Sequence, residues 1–301
     1  MTALSRNTLS KCLIAVLAAL AVASSAQEPD CDWSKARELY PGIEHLSIRA
    51  EAPRSLNINC LRVDTHTPGL SFYTTPRHEP WEEDVSETLR VTTRQFMQQA
   101  REAGRPVVAA VNADGWKPWI PITWGLQMTT NVTGLAVSDG VLVSPAAGTP
   151  SLIVRKDGAV EMALTDATTD IETIHTAVSG FAFVLKDGEI LPAHVDLHPR
   201  TGIGICPDAR FVYLVTIDGR QEASGGATYE ELAGWLRHFG ACTGVNMDGG
   251  GSTTMAWWDP ESEAADKSSL LNVPVGGGIP GTERCNGNNL GVCYEHGELE
   301  P

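Results

Sequence analysis

Positive charge is what this chain has least of: its 22 lysines and arginines face 37 aspartates and glutamates, a formal net charge of -15. A surface of that sign repels nucleic acid and anionic bilayers. It also opposes anionic ligands at long range, so recognition of a phosphate ester would require arginines gathered locally at one site. Long apolar runs are missing as well. The longest, Cys12 to Ala23, spans about a dozen residues, short of the roughly 20 that a spanning helix needs. Arg6 and Lys11 precede it and Ser24-Ser25-Ala26 follow it, the pattern of a secretory signal peptide over residues 1–26. The chain is therefore expected to be exported, secreted or periplasmic, with one domain over 27–301 and no membrane span once the signal is removed. Several motifs are also absent. With no C-x-x-C pair, a zinc ribbon or a thioredoxin-like redox site is disfavoured. The glycine run at 249–251 has no lysine after it and so is not a nucleotide P-loop. Gly250-Gly251-Ser252-Thr253-Thr254 lacks the final glycine of a nucleophile elbow.

Cysteine is moderately represented: beyond Cys12 the chain carries Cys31, Cys60, Cys206, Cys242, Cys285 and Cys293. In an exported protein an even number suggests up to three disulfides. Pairing in chain order is the expectation, with Cys285 to Cys293 closing a short loop.

Between Gly42 and Thr75, short β-branched and apolar runs such as Ile58 to Val63 and Leu70 to Tyr73 alternate with breaks and read as strands. Thr92-Thr93-Arg94-Gln95 is a capping box that opens a helix with Phe96, Met97, Ala100 and Ala103 on one face, stopped by Gly104. Val107 to Val111 is continuously apolar, as a strand buried on both faces would be. Asp139-Gly140, Asp157-Gly158 and Asp187-Gly188 each sit between apolar runs, which predicts three tight hairpins and makes those aspartates turn residues. After the apolar run Phe211 to Ile217, a second capping box at Thr228 opens a helix with Leu232, Trp235, Leu236 and Phe239 on one face, ended by Gly240. The order strand, helix, strand suggests a crossover, so the expected class is α+β, a mixed parallel and antiparallel sheet with packed helices.

Three apolar strands end in a polar residue and glycine: Asn112-Ala113-Asp114-Gly115, Asp218-Gly219-Arg220 and Asp248-Gly249-Gly250-Gly251. Strand ends of this kind collect polar groups around one crevice. Taken in order, His198-Pro199-Arg200-Thr201-Gly202-Ile203-Gly204, Thr216 to Arg220, Asn246 to Met255, Asn272-Val273-Pro274 and Gly287 to Gly291 resemble the phosphodiester glycosidase family. The likeness extends over most of Gly42 to Val292. In two places the chain departs from the family pattern: Asp114-Gly115 stands where glycine and an aromatic are usual, and Val273 where arginine is usual.

The resemblance implies a hydrolase that cleaves the glycosidic bond of a sugar-1-phosphodiester, releasing free sugar and a phosphomonoester. It points to Arg200 and Arg220 as phosphate-gripping cations and to Asp218 and Asp248 as the carboxylates, nucleophile or stabiliser and base, in an order left open. Asn112, Asp114, His198, Thr201, Asn246, Asn272 and Asn288 would contact substrate, with Gly249, Gly250, Gly251 and Ser252 as an anion cradle. No cofactor is required, and a divalent cation is left open. The expected partner is a sugar phosphodiester or phosphorylated glycan. Two competing readings follow from the same residues: a non-catalytic glycan-binding protein of exopolysaccharide assembly, using Trp116, Trp119, Trp124, Trp257 and Trp258, or a phosphodiesterase whose metal is held by Asp114, Asp218 and Asp248.

Overall fold

The computed structural model describes residues 31–192, 194–263 and 267–295. The expected signal peptide over 1–26 lies outside these. The described residues form four sheets, and every ladder between their strands is antiparallel. The largest has eight strands in the spatial order Arg37–Tyr40, Ile43–Ala50, Leu56–Asp64, Phe211–Ile217, Arg200–Ile205, Thr243–Asn246, Ala182–Lys186 and Glu189–Ile190. A five-stranded sheet is ordered Val141–Ser144, Ala136–Ser138, Ile174–Ser179, Thr149–Arg155 and Val160–Thr165. Another runs Ser268–Leu270, Met255–Trp258, Val107–Asn112, Asn289–Tyr294 and Leu70–Thr74. A small three-stranded sheet joins Thr88–Leu89, Thr129–Val132 and Trp116–Lys117.

This corrects the α+β expectation, because the fold is mainly β and its sheets are not mixed. The crossover itself exists. Phe211–Ile217 and Thr243–Asn246 are joined through a helix, but Arg200–Ile205 lies between them and pairs antiparallel with both. The two crossover strands therefore never touch. The continuous apolar run Val107 to Val111, within the strand Val107–Asn112, is likewise buried on both faces, but between antiparallel neighbours at 255–258 and 289–294.

Local chemistry acted as the sequence implied. α1 (Thr93–Glu102) and α2 (Tyr229–Phe239) both start in complete capping boxes, from Thr92 with Gln95 and from Thr228 with Glu231. Gly240 ends α2 with a left-handed backbone at φ 113°. All three Asp-Gly sites are hairpin turns. Phe96, Met97 and Ala100 of α1 are buried against the sheet that contains Val107–Asn112, whereas α2 covers the large sheet with Leu232, Ala233, Leu236 and Phe239. The principal core lies between the three larger sheets, with Ile43, Leu61 and Leu214 from one, Leu152 and Val178 from the second and Val111, Met255 and Val292 from the third. None of the expected disulfides is formed: Cys31, Cys60, Cys206, Cys242, Cys285 and Cys293 are free thiols. Of the pair expected to close a short loop, Cys293 packs in the core cluster beneath α1 and Cys285 is not part of that cluster, whereas Cys31 and Cys60 share the cluster beneath α2 as unlinked thiols. No helix among the described residues is long and apolar enough to cross a membrane.

Candidate active site

The ends of strands 107–112, 200–205 and 243–246 meet at a cleft of about 500 Å³. Its lining includes His198, Arg200, Arg220, Tyr229, Asn246, Asp248, Gly249, Gly250, Gly251 and Arg284, with Trp116, Trp119 and Phe181 as aromatic wall.

Arg200 begins its strand almost buried, at 5 % exposure. Its Nε donates to the Ala227 carbonyl at 2.8 Å and its Nη2 to the Asp196 carbonyl at 2.6 Å. The guanidinium stacks on Tyr229 at 4.4 Å, so the first residue of α2 supports its flat face. Arg220 stands just past a strand end in the left-handed region at φ 58° and donates to His198 Nδ1 at 3.1 Å. Among the described residues neither arginine is ion-paired with a carboxylate. Burial lowers both pKa values from the ordinary arginine value, yet guanidinium groups stay protonated in proteins. Burial, with Arg200 and Arg220 nearby, also lowers the His198 pKa, which keeps that ring neutral near pH 7 and free to accept from Arg220.

Asp248 is held at its backbone by Ala113, whose carbonyl accepts its N–H at 2.9 Å, and by Asn112, whose Nδ2 donates to its carbonyl at 2.7 Å. Its side-chain bonds to Ser252 Oγ and to Arg284 Nη2, the latter at 2.8 Å, both end on Oδ2. No hydrogen bond from a described residue ends on Oδ1. Gly250 has φ 62°, and a Cβ there would come within 3.1 Å of the Arg220 guanidinium, so the glycine serves both the turn and the close approach of the cation. Two buried atoms of the cleft residues have no partner: Asn246 Oδ1, an acceptor, and Arg284 Nε, a donor. Buried polar atoms are seldom left so, and a ligand bearing both a hydroxyl or amide N–H and an anionic oxygen would satisfy both.

Of the four residues expected to act chemically, Arg200, Arg220 and Asp248 converge on the cleft and Asp218 does not. Asp218 is 2 % exposed and accepts from Asn272 Nδ2 at 2.9 Å and from the Val273 N–H at 3.2 Å. Burial raises its pKa to about 6. Asn272 in turn accepts from the Met255 N–H, so the pair braces the loop behind the site. Asp114 is buried too, with the Ser179 N–H at 2.7 Å and Asn288 Nδ2 at 2.9 Å, and burial raises its pKa well above the carboxylate range. Asn288 also accepts from Thr74 and Thr75 and is completely enclosed. Asn112 accepts from Thr201 Oγ1 at 2.7 Å and from the Thr254 N–H at 3.0 Å. Asn112, Asp114, Thr201, Asn272 and Asn288 are thus scaffold beneath the cleft, whereas His198, Asn246 and the three glycines line it. Among the described residues no three His, Cys, Asp or Glu side chains gather as a metal site.

Arg284 is the residue that sequence reading passed over. It pairs with Asp248 and lies over Trp119 at 4.6 Å and Trp116 at 5.7 Å. One signal was available: Glu283 and Arg284 are the only charged residues between Lys267 and Glu295. Glu283 pairs outward with Arg94 of α1, which leaves Arg284 for the cleft. Of the five tryptophans expected to flank a glycan, Trp116 and Trp119 line the cleft and Trp124 an adjoining one, whereas Trp257 and Trp258 pack in the cores.

A sequence model of the phosphodiester glycosidase family matches residues 96–293. An uncharacterized SPbeta prophage-derived protein, YomE of Bacillus subtilis (strain 168), is 28 % identical over 188 residues, which cover 57 % of this chain and 27 % of that protein. This chain thus matches only about a quarter of that relative's length. The catalytic domain of zebrafish N-acetylglucosamine-1-phosphodiester alpha-N-acetylglucosaminidase, auto-inhibited by its pro-peptide, shares the fold at TM-score 0.60 and 20 % identity, over 87 % of this chain and 86 % of that one. A hypothetical protein from Synechocystis aligns at TM-score 0.58 and 12 % identity, over 87 % and 64 %. With the family model spanning residues 96–293 and a shared fold, the chain belongs to the phosphodiester glycosidase family.

Proposed function

We propose that the enzyme hydrolyses the bond between a sugar anomeric carbon and the oxygen of a phosphodiester, releasing free sugar and a phosphomonoester. One observation carries this reading: in a molecule of net charge -15, the guanidinium groups of Arg200, Arg220 and Arg284 converge on a single cleft, the first two without a carboxylate partner among the described residues. Such a concentration of cations suits a phosphate, which guanidinium groups grip through paired donors. Family membership supports the same bond type.

The scissile C1–O bond breaks through an oxocarbenium-like state, and the bonding electrons leave on the phosphate oxygen. That leaving group is already stable as an anion, so charge stabilisation by Arg200, Arg220 and Arg284 takes the place of a general acid. A second carboxylate is then unnecessary. This fits a cleft whose lining holds Asp248 as its one carboxylate. Asp248 Oδ1 accepts the proton of the attacking water as the water oxygen bonds to C1. Asn246 Oδ1 accepts from a sugar hydroxyl or amide, and Trp116 and Phe181 flank the ring. As an exported hydrolase, the enzyme would meet this substrate outside the cytoplasm.

The test is to incubate purified protein with an N-acetylglucosamine-1-phosphodiester, then with esters of other sugars, and to follow free sugar and phosphomonoester. Asp248→Asn is expected to lower turnover by about a thousandfold and Arg284→Ala by about a hundredfold, magnitudes typical of lost acid–base and charge-stabilising groups, with Asp248→Asn leaving thermal unfolding nearly unchanged. Release of an intact sugar phosphate instead of free sugar would sink the reading, as would inertness of the wild-type protein toward every ester.

A further inference from the structure

A second cleft of about 480 Å³ adjoins the first and shares Trp119, Arg220, Gly251 and Arg284 with it. Its own walls come from two segments. One is the 3-10 turn Pro121–Thr123 and the residue after it, which supply Ile122 and Trp124. The other is the glycine turn Gly276–Gly278 with Val275 before it. Trp124 lies so close to Gly277 that a Cβ there would fall within 2.4 Å of the indole, and Gly277 has φ 61°, so the glycine is what lets the aromatic wall stand upright.

The two clefts differ in chemistry. The first carries Asn246, Asp248, His198 and Thr133 for hydroxyl groups. The second has no carboxylate, amide, hydroxyl or imidazole side chain in its lining, and its polar side-chain groups are the two shared arginines and the indole N–H groups of Trp119 and Trp124, donors without a side-chain acceptor among them. Sugars and peptides need such partners when they are enclosed, and an aliphatic chain does not. Ile122 is 86 % exposed, and Leu126 and Ile279, just beyond the same two segments, are exposed as well, an apolar surface left open to water.

A phosphodiester has two substituents on one anionic centre, and here two clefts meet at two guanidinium groups. We propose that the second cleft receives the alcohol on the far side of the phosphate and that this alcohol is a hydrocarbon chain, so the substrate is a lipid-linked sugar phosphodiester. The assignment rests on the phosphodiester reading of the first cleft for its chemistry, but the apolar site itself can be measured without turnover.

Binding of octyl phosphate and ethyl phosphate, each kept below its micellar concentration, is compared by calorimetry on the full chain and on Ile122→Ser. Octyl phosphate is expected to bind at least about tenfold tighter, since even partial burial of six further methylenes exceeds that ratio, and Ile122→Ser is expected to shrink the preference several-fold. The octyl and ethyl esters of N-acetylglucosamine-1-phosphate are compared in parallel, with the octyl ester favoured in kcat/KM by a similar factor. Equal affinity for the two phosphates overturns the assignment, as does a preference that Ile122→Ser leaves intact. Faster turnover of an ester with a sugar alcohol than of the octyl ester also overturns it, while leaving the hydrolase reading in place. Selective octyl phosphate binding with neither ester turned over supports the apolar cleft and defeats the phosphodiester reading instead.

Discussion

At the scale of single residues, the site separates aspartates that look alike in sequence. Asp218 and Asp248 each end an apolar strand before glycine, yet one is enclosed by amide donors and the other lines the cleft. Burial raises the Asp218 pKa from 3.8 to about 6. Below about pH 4 the carboxyl is protonated in both the folded and the unfolded chain, and its burial is not penalised. As pH rises through 6 the unfolded chain has already released the proton and the folded one resists, so the stability present at low pH is lost, by roughly 3 kcal/mol at most. Asp218→Asn is therefore expected to gain on the wild type by up to that amount between pH 4 and pH 7, measured by urea unfolding at both values. A stability difference that does not change with pH would show that the carboxyl is not burdened. Because Asp218 does not line the cleft, the same variant keeps far more turnover than Asp248→Asn.

At the scale of elements, α2 is the device that seats a cation. Its first residue, Tyr229, lies under Arg200, and its capping glutamate, Glu231, also pairs with Arg54. Thr228→Ala removes the cap and is expected to cost about 1 kcal/mol in denaturant unfolding, with a fall in phosphate affinity as Tyr229 loses its fixed position. Affinity equal to wild type would mean that Arg200 is positioned by the Ala227 and Asp196 carbonyls alone. Both helices and the three Asp-Gly hairpins were legible in the sequence because caps, glycines and hydrophobic period are local signals. What was not legible is pairing. Whether the strands joined through α2 lie side by side depends on where Arg200–Ile205 inserts, and nothing within 211–246 encodes that. Similarly, Asn112 stood out as a polar residue at a strand end and Asn272 and Asn288 through the family resemblance, but only the packing shows that their amide groups are consumed within the protein. Arg284 escaped notice for the converse reason: it lies in a glycine-rich segment with no periodicity to draw attention to it.

At the scale of the molecule, three sheets share one core, so the sheets are expected to unfold together. Leu214→Ala, at the centre of that core, is expected to destabilise the protein by about 2–5 kcal/mol. Near- and far-ultraviolet circular dichroism of the variant are expected to report one coincident transition, and separated transitions would show that a sheet melts alone. The acidic surface and the arginine-lined cleft are complementary parts of one arrangement, since the first repels anions in general and the second admits one at a chosen place. The side chain of Asn112 accepts from Thr201 of the large sheet, receives the Thr254 N–H and donates to the Asp248 carbonyl. It is a rivet driven through the seam of two sheets with the reacting loop clamped under its head, so the loop keeps its shape for as long as the shared core holds and is released only when the sheets part.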